Sequence, residues 1–342
     1  MTNENVQIQL AKQPDGVPKT SDFQVGRTEI PKVGDGELLV RNIYLSLDPY
    51  MRGAIAGRHM GHSRLNQGDV IGGRAVAQVH ESKHSDYQAG DYLLIESGWQ
   101  NYYLSSGSSK NQIRKLDPEM GPLSAALGCL GMPGLTAWAG VEKLAKPGLG
   151  ETFVVTSAAG SVGGTAGQLA KAKGCRVVGV AGSEEKCRVV IDDYGFDDCV
   201  NYKKDNWPDR LKTACPDGID CYFDNVAGPV LDTITQQLNL YGKIILCGLM
   251  SQYNNADQSS WHGHNMGPFV GKRAQILSLV VYDYYDQIDK FLAIAAQLHR
   301  EGRLIFKEDR VTGIESTPGH FVKLMSGDNV GKAMVVVGPE TS

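Results

Sequence analysis

The chain has 342 residues, 42% of them hydrophobic, enough for about two domains with their own cores. Its formal net charge of −4, with Lys and Arg scattered along the sequence, gives no electrostatic footprint for a nucleic acid. Seven cysteines stand singly with no C-x-x-C pair, which fits a reducing cytoplasm rather than a disulfide framework.

No basic and apolar leader opens the sequence, so no secretory signal is expected. Residues 1 to about 120 read as β-rich and turn-rich, with strands predicted over Glu37 to Ser46, Asp69 to Val79 and Tyr92 to Glu96, a pattern that suggests a compact β-barrel-like unit. The uncharged run from Gly121 to Val141 is long enough to span a membrane. Pro122, Pro133 and five glycines interrupt it, so buried turns and short helices are the better reading. Six β-like runs alternate with helical pattern after that: Phe153 to Ser157, Cys175 to Val180, Cys199 to Tyr202, Ile219 to Asn225, Lys243 to Gly248 and Gln275 to Tyr282. Six is the number for two mononucleotide-binding halves. Met250 to Gly271 reads as a long binding or lid loop carrying Tyr253, Trp261, His262 and His264. An amphipathic helix follows over Tyr285 to Glu301, and a last strand over Asn329 to Val337. No internal repeat or low-complexity segment is present.

The chemistry is concentrated after the first of the six runs. A buried-type strand, the turn Ala158-Ala-Gly160-Ser-Val-Gly163 and a helical pattern through Ala166, Leu169 and Ala170 follow one another. Such an order aims the unpaired N–H groups of a helix N-terminus at a pyrophosphate. Alanine replaces the first glycine of G-x-G-x-x-G, so the motif gains its weight from the strand, helix and second strand around it. An ordinary βαβ unit without a ligand is the alternative.

About 20 positions past the last glycine, where an NAD-binding unit carries an acid on the ribose hydroxyls, stands Gly182. Glycine leaves room for a 2′-phosphate, with Ser183 supplying a hydroxyl and Lys186 a positive charge, so NADPH is the expected cofactor. Ser183 reads as a helix N-cap, which places Glu184 and Glu185 in the first turn, where they complement the helix dipole and can point to water.

Several stretches together resemble the zinc-independent medium-chain dehydrogenase/reductases, in their prostaglandin reductase and alkenal double-bond reductase branch, with bacterial curcumin reductases the nearest in pattern. They are Leu45-Ser-Leu-Asp-Pro-Tyr-Met-Arg-Gly53, Leu130-Gly-Met-Pro-Gly-Leu-Thr-Ala-Trp138, the Ala158 to Gly163 turn, Gly182-Ser-x-x-Lys186, Cys247-Gly-Leu-Met-Ser-Gln-Tyr-Asn254 and Asn329-Val-Gly-Lys332. The resemblance implies a Rossmann doubly wound parallel sheet, residues 131–305, inserted in a β-rich GroES-like barrel domain made of 1–130 and 306–342. It also implies a homodimer, paired through the Gln275 to Tyr282 strand.

For the site it implies Tyr253 against the nicotinamide ribose, as a donor to the ribose hydroxyl or to the substrate. It implies Tyr50 facing the substrate; a tyrosine packed in the barrel is the other reading. The expected cofactor contacts are Ala159, Gly160, Ser161, Val162, Gly163, Gly182, Ser183, Lys186, Tyr202, Asn225, Cys247, Gly248, Ser251, Leu279, Val281 and Asn329. For Tyr202 the bland alternative is a strand end, and for the apolar positions it is core packing. Asp48 and Arg52 read as an ion pair or as turn residues.

No metal is expected. Where zinc-carrying relatives have Gly-His-Glu, this chain has Gly72-Gly73-Arg74, and the close pair His262-x-His264 reads as two solvated loop side chains rather than a metal site. Without a metal to polarise an alcohol, the expected reaction is hydride transfer to the β-carbon of an α,β-unsaturated ketone or aldehyde. A quinone reductase and a non-catalytic NADPH-binding protein are the alternatives.

Overall fold

The computed structural model of the protein describes residues 4–108, 113–255 and 266–340. Two compact units divide the chain, one made of residues 1–127 and 308–342, the other of residues 128–307.

The first unit begins with an antiparallel ribbon of β1 (Glu4–Leu10) and β2 (Phe23–Glu29). Next come β3 (Leu38–Ser46), the short helix α1 (Met51–Ile55), β4 (Arg74–Ser82), β5 (Tyr92–Glu96), β6 (Tyr102–Ser105) and β7 (Arg114–Lys115). The period of two divides their side chains. Ile43, Val76 and Leu94 pack on one face with Leu123 and Leu127, while Val40, Ala77, Leu93 and Ile95 share another cluster. Phe23 seals the ribbon against Trp99 and Phe321, with ring centroids 5.6 and 6.1 Å away.

The second unit starts with α2 (Met132–Trp138), whose Pro133 sits in the first turn, where a missing N–H is harmless. It then alternates: β8 (Thr152–Thr156), α3 (Ser161–Ala172), β9 (Arg176–Ala181), α4 (Glu184–Arg188), β10 (Asp198–Asn201), α5 (Trp207–Ala214), β11 (Ile219–Asp224), α6 (Gly228–Thr235), β12 (Leu238–Leu246), α7 (Gly267–Lys272), β13 (Gln275–Ser278) and α8 (Ile288–Arg300). All pairings are parallel, in the order β10-β9-β8-β11-β12-β13. Numbered within the sheet, this is 3-2-1-4-5-6, the doubly wound order whose switch point lies between β8 and β11. Both faces are covered, so β8 is buried at every position. Val154 and Tyr222 point into a core closed by Leu211, Leu231 and Phe269. Phe153 and Phe223, one residue out of phase, meet on the opposite face with ring centroids 6.4 Å apart.

The chain returns to the first unit as β14 (Glu308–Thr312), α9 (Thr317–Met325) and β15 (Lys332–Val336). β14 and β15 extend the sheet as β14-β15-β3-β4-β5-β7, β15 antiparallel to β3 through Met334↔Ser46. A mainly antiparallel sheet in one unit and a doubly wound parallel sheet in the other bear out the expected fold class.

Several expected boundaries move. The strand read over Asp69 to Val79 begins only at Arg74. The Gln275 to Tyr282 strand stops at Ser278, because the chain enters a 3-10 turn over Val281–Gln287. That same turn delays the last long helix from Tyr285 to Ile288. Trp261, His262 and His264 lie outside the described residues.

Candidate active site

At the glycine turn, Ser157 takes φ +52 and Gly160 caps α3 without a side-chain hydrogen bond to the helix. The first N–H groups of α3 therefore lack a capping acceptor of the ordinary kind. Ser161 Oγ is buried with no hydrogen-bond partner in the protein. A Cβ at Gly163 would overlap the Ser157 carbonyl, so only glycine lets helix and strand approach this closely. Unsatisfied donors at a helix start fit a phosphate, the chemistry expected of Gly160, Ser161, Val162 and Gly163. Ala158 and Ala159 are buried beneath the turn.

At the end of β9, Ser183 caps α4, its Oγ accepting from Lys186 N at 3.2 Å, as its spacing predicts. Glu184 and Glu185 fall in the first turn. Glu184 is not merely solvated: Asn201 Nδ2 donates to its Oε1 at 3.0 Å. A Cβ at Gly182 would meet Tyr202 Cε1 at 3.3 Å and Lys203 Cε at 3.4 Å. Gly182, Ser183, Lys186 and Tyr202 thus gather at neighbouring strand ends, joined by Lys203. A carboxylate at position 182 would crowd this phenol and lysine stem. Glycine, a hydroxyl and cationic side chains fit a phosphate ester instead.

Beneath the switch point lies a buried network that sequence reasoning missed. Asp224 accepts from Thr156 Oγ1 at 3.1 Å, Tyr222 Oη at 2.7 Å, Val226 N at 2.9 Å and Ala227 N at 3.0 Å. Burial pushes its carboxyl up, and these donors work against that shift. Ala227 has φ +60 and ψ −156, a region that normally belongs to glycine, and the carboxylate holds it there. Asn225 is fixed by Thr156, whose carbonyl accepts from Nδ2 at 2.8 Å. A fully buried acid at the end of a strand, as Asp224 is at the end of Ile219–Asp224, marks such a network.

The loop after β12, which carries Tyr253, is fastened to this segment. Cys247 N and Gly248 N donate to the Asp224 carbonyl, and Ser251 donates to the Val226 carbonyl through N at 3.1 Å and Oγ at 2.7 Å. Ser251 therefore anchors the loop, its hydroxyl proton already engaged. Tyr253 Oη accepts from Leu249 N at 3.3 Å, which leaves the phenol its own proton to donate. Burial pushes this phenol above its usual range, so it stays protonated at neutral pH. Burial and Asp224 push the Cys247 thiol up to about 12, which removes it as a nucleophile. Leu279 is buried and bonded through N to the Leu246 carbonyl at 2.9 Å, and Val281 opens the 3-10 turn.

In the β-rich unit, Tyr50 stands at the N-cap of α1 with its ring 4.7 Å from His59 and 6.0 Å from His62, two rings the sequence reading did not single out. Asp48 and Arg52 do not pair with each other. Asp48 binds Lys332 Nζ at 2.5 Å, whereas Arg52 Nη2 donates to the carbonyls of Pro14 at 2.9 Å and Gly16 at 3.1 Å. Backbone carbonyls 36 and 38 residues away take the Nε and Nη2 donors of this guanidinium, a partnership no spacing rule reveals. Asn329, also in this unit, donates through Nδ2 to the Gly331 carbonyl at 2.8 Å.

A doubly wound sheet with an open phosphate turn at its first strand defines a dinucleotide-binding domain, here joined to a mainly antiparallel one. Comparison with known proteins agrees. Residues 6–113 match the family model described as "N-terminal domain of oxidoreductase" and residues 161–297 the one described as "Zinc-binding dehydrogenase". The chain is 39% identical to the NADPH-dependent curcumin reductase of Escherichia coli, covering 96% of this chain and 95% of that protein. It is 38% identical to prostaglandin reductase 1 of Bos taurus, covering 94% and 95%. The crystal structure of CurA from Vibrio vulnificus in complex with NADPH superimposes with a TM-score of 0.91 at 37% identity, over 98% of this chain and 99% of that one. The chain belongs to the medium-chain dehydrogenase/reductases, in the prostaglandin reductase and curcumin reductase branch that its motifs resemble.

The second family description names zinc, and the donor set does not fit one. Among the described residues no three His, Cys, Asp or Glu side chains are grouped so as to hold a metal ion.

Proposed function

We propose that this protein is an NADPH-dependent oxidoreductase that reduces the carbon–carbon double bond of α,β-unsaturated ketones and aldehydes. The observation that carries this reading is Gly182, which puts no carboxylate beside Tyr202 and Lys203, in a chain that matches a curcumin reductase over almost its whole length.

Bound NADPH supplies the hydride, which adds to the β-carbon of the enone. The residues' task is to meet the charge that develops on the carbonyl oxygen and to let a proton reach the α-carbon. Tyr253 suits this. Its phenol is held by the Leu249 N–H, keeps its proton at neutral pH and sits on a loop fastened to the Asp224 segment. Tyr50 is the second donor, its ring supported by His59. Ala159 to Gly163 take the pyrophosphate, and Gly182, Ser183, Lys186 and Tyr202 take the 2′-phosphate. Asn225, Cys247, Gly248, Ser251, Leu279, Val281 and Asn329 serve the nicotinamide half, Ser251 through the loop it anchors.

Incubation with NADPH deuterated at the transferring position and an enone such as curcumin tests the reading. The saturated ketone is expected, with deuterium on the β-carbon. An allylic alcohol, or turnover of quinones but of no enone, overturns it.

We further propose a homodimer paired through β13. It is the edge strand of its sheet, and Ile276 on it is 47% exposed, so the strand is not the fully buried one its composition also allowed. Cytoplasmic residence is supported by seven cysteines that are all unpaired. No helix among the described residues is long and apolar enough to cross a membrane.

A further inference from the structure

Lys332 is the only buried lysine among the described residues, with 3% of its surface exposed. Its Nζ donates to Asp48 Oδ1 at 2.5 Å and to the Leu47 carbonyl at 2.8 Å, while Ser46 Oγ donates to Asp48 Oδ2 at 2.5 Å. One ammonium thus holds a main-chain carbonyl and the side chain of the next residue. The chain then passes through Pro49, with its fixed φ, to Tyr50. The segment is held on its other side as well. Met51 N donates to the Asp48 carbonyl at 3.1 Å, and Arg52, one turn on, is tied to the carbonyls of Pro14 and Gly16. Beyond the helix start, the Tyr50 ring lies against His59.

A buried ion pair is a poor device for stability alone, since an apolar pair of equal volume holds a core as well or better. What it adds is direction: a carboxylate and a carbonyl fixed by one charged donor keep the following turn in a single orientation. We propose that Lys332 is a positioning residue for enone reduction, acting through Asp48 to set the placement of Tyr50. The inference rests on the function proposed above and on a role for Tyr50 in it.

The double variant Asp48→Asn/Lys332→Met removes both charges at nearly constant volume, so no lone charge is left buried. Its kcat/KM for the enone is expected to fall on the order of tenfold to 100-fold, the scale of an ångström-sized misplacement, while KM for NADPH stays within about twofold. Tyr50→Phe is expected to lower kcat/KM in the wild type but to add less than about twofold in the double variant, because both changes act on one group. A merely structural pair predicts loss in proportion to folded protein, with both Michaelis constants unchanged and the Tyr50→Phe effect undiminished, and this outcome overturns the proposal. If the double variant does not fold, Asp48→Glu provides the same comparison, since it keeps the pair and shifts the carboxylate by one methylene; an unaltered enone KM there overturns the proposal equally. Wild-type protein that reduces no enone sinks the proposed function and this inference together. An active wild type with an equally active double variant sinks the inference alone.

Discussion

The proposed 2′-phosphate site turns on single side chains around Gly182. Lys186 is set at the third position of α4 because Ser183 caps its backbone N–H, so the helix start and the phosphate charge are placed by the same four residues. A charge-assisted hydrogen bond is worth roughly 1.5–3 kcal/mol, or about 10- to 100-fold in binding. Lys186→Ala is therefore expected to raise KM for NADPH by about that factor and to leave KM for NADH nearly unchanged in parallel steady-state assays. Equal changes for both cofactors would refute the assignment. Tyr202 and Lys203 approach Gly182 from a neighbouring strand end, so they are expected to share the phosphate and to soften the loss.

Among the elements, α3, β9 and the start of β10 are tied by Asp197. Burial opposes ionisation of this carboxyl, yet the Val177 N–H at 2.7 Å and Lys171 at 2.9 Å outweigh it and hold the carboxyl below the usual range. The folded state accordingly binds fewer protons than the unfolded chain. The stabilisation is present above the unfolded value of about 4 and is lost as pH falls through the lower folded value. Thermal melts between about pH 2 and 6 are expected to show an acid limb that Asp197→Asn flattens, with the variant less stable than wild type at pH 7. An unchanged slope would mean that Asp197 contributes nothing to it. This link braces the proposed phosphate site, since Lys171 lies on the helix that begins at the glycine turn and Val177 on the strand that ends at Ala181, just before Gly182.

At the scale of the whole molecule, the proposed dimer rests on the edge strand of the parallel sheet. Among the described residues β12 is the one strand that pairs with β13, and Ile276 leaves apolar surface at that edge. Ile276→Lys places a charge at that edge and is expected to shift the protein from dimer to monomer in light scattering behind size exclusion. A wild-type monomer, or a variant that remains dimeric, would exclude pairing through this strand.

Much of this architecture was legible in the residues. Six apolar runs with helical pattern between them gave the doubly wound sheet, because a strand buried on both faces must be apolar throughout. The turn from Ala158 to Gly163 and the missing acid at Gly182 pointed to NADPH, because glycine spacing and the lack of a carboxylate are properties of local sequence. β1, β2 and β14 escaped notice: Phe23–Glu29, largely exposed, and Glu308–Thr312, partly buried, carry little apolar pattern and are strands because a partner pairs with them. The sequence by itself determined what the protein is made to bind and the class of fold that binds it. Only the tertiary structure decided that Asp48 pairs with Lys332 rather than with Arg52, and that Asp224 gathers donors from Thr156, Tyr222 and the strained Ala227. Buried polar groups take whichever partners the packed fold brings within reach, and residues 284 positions apart carry no local sign that they will meet.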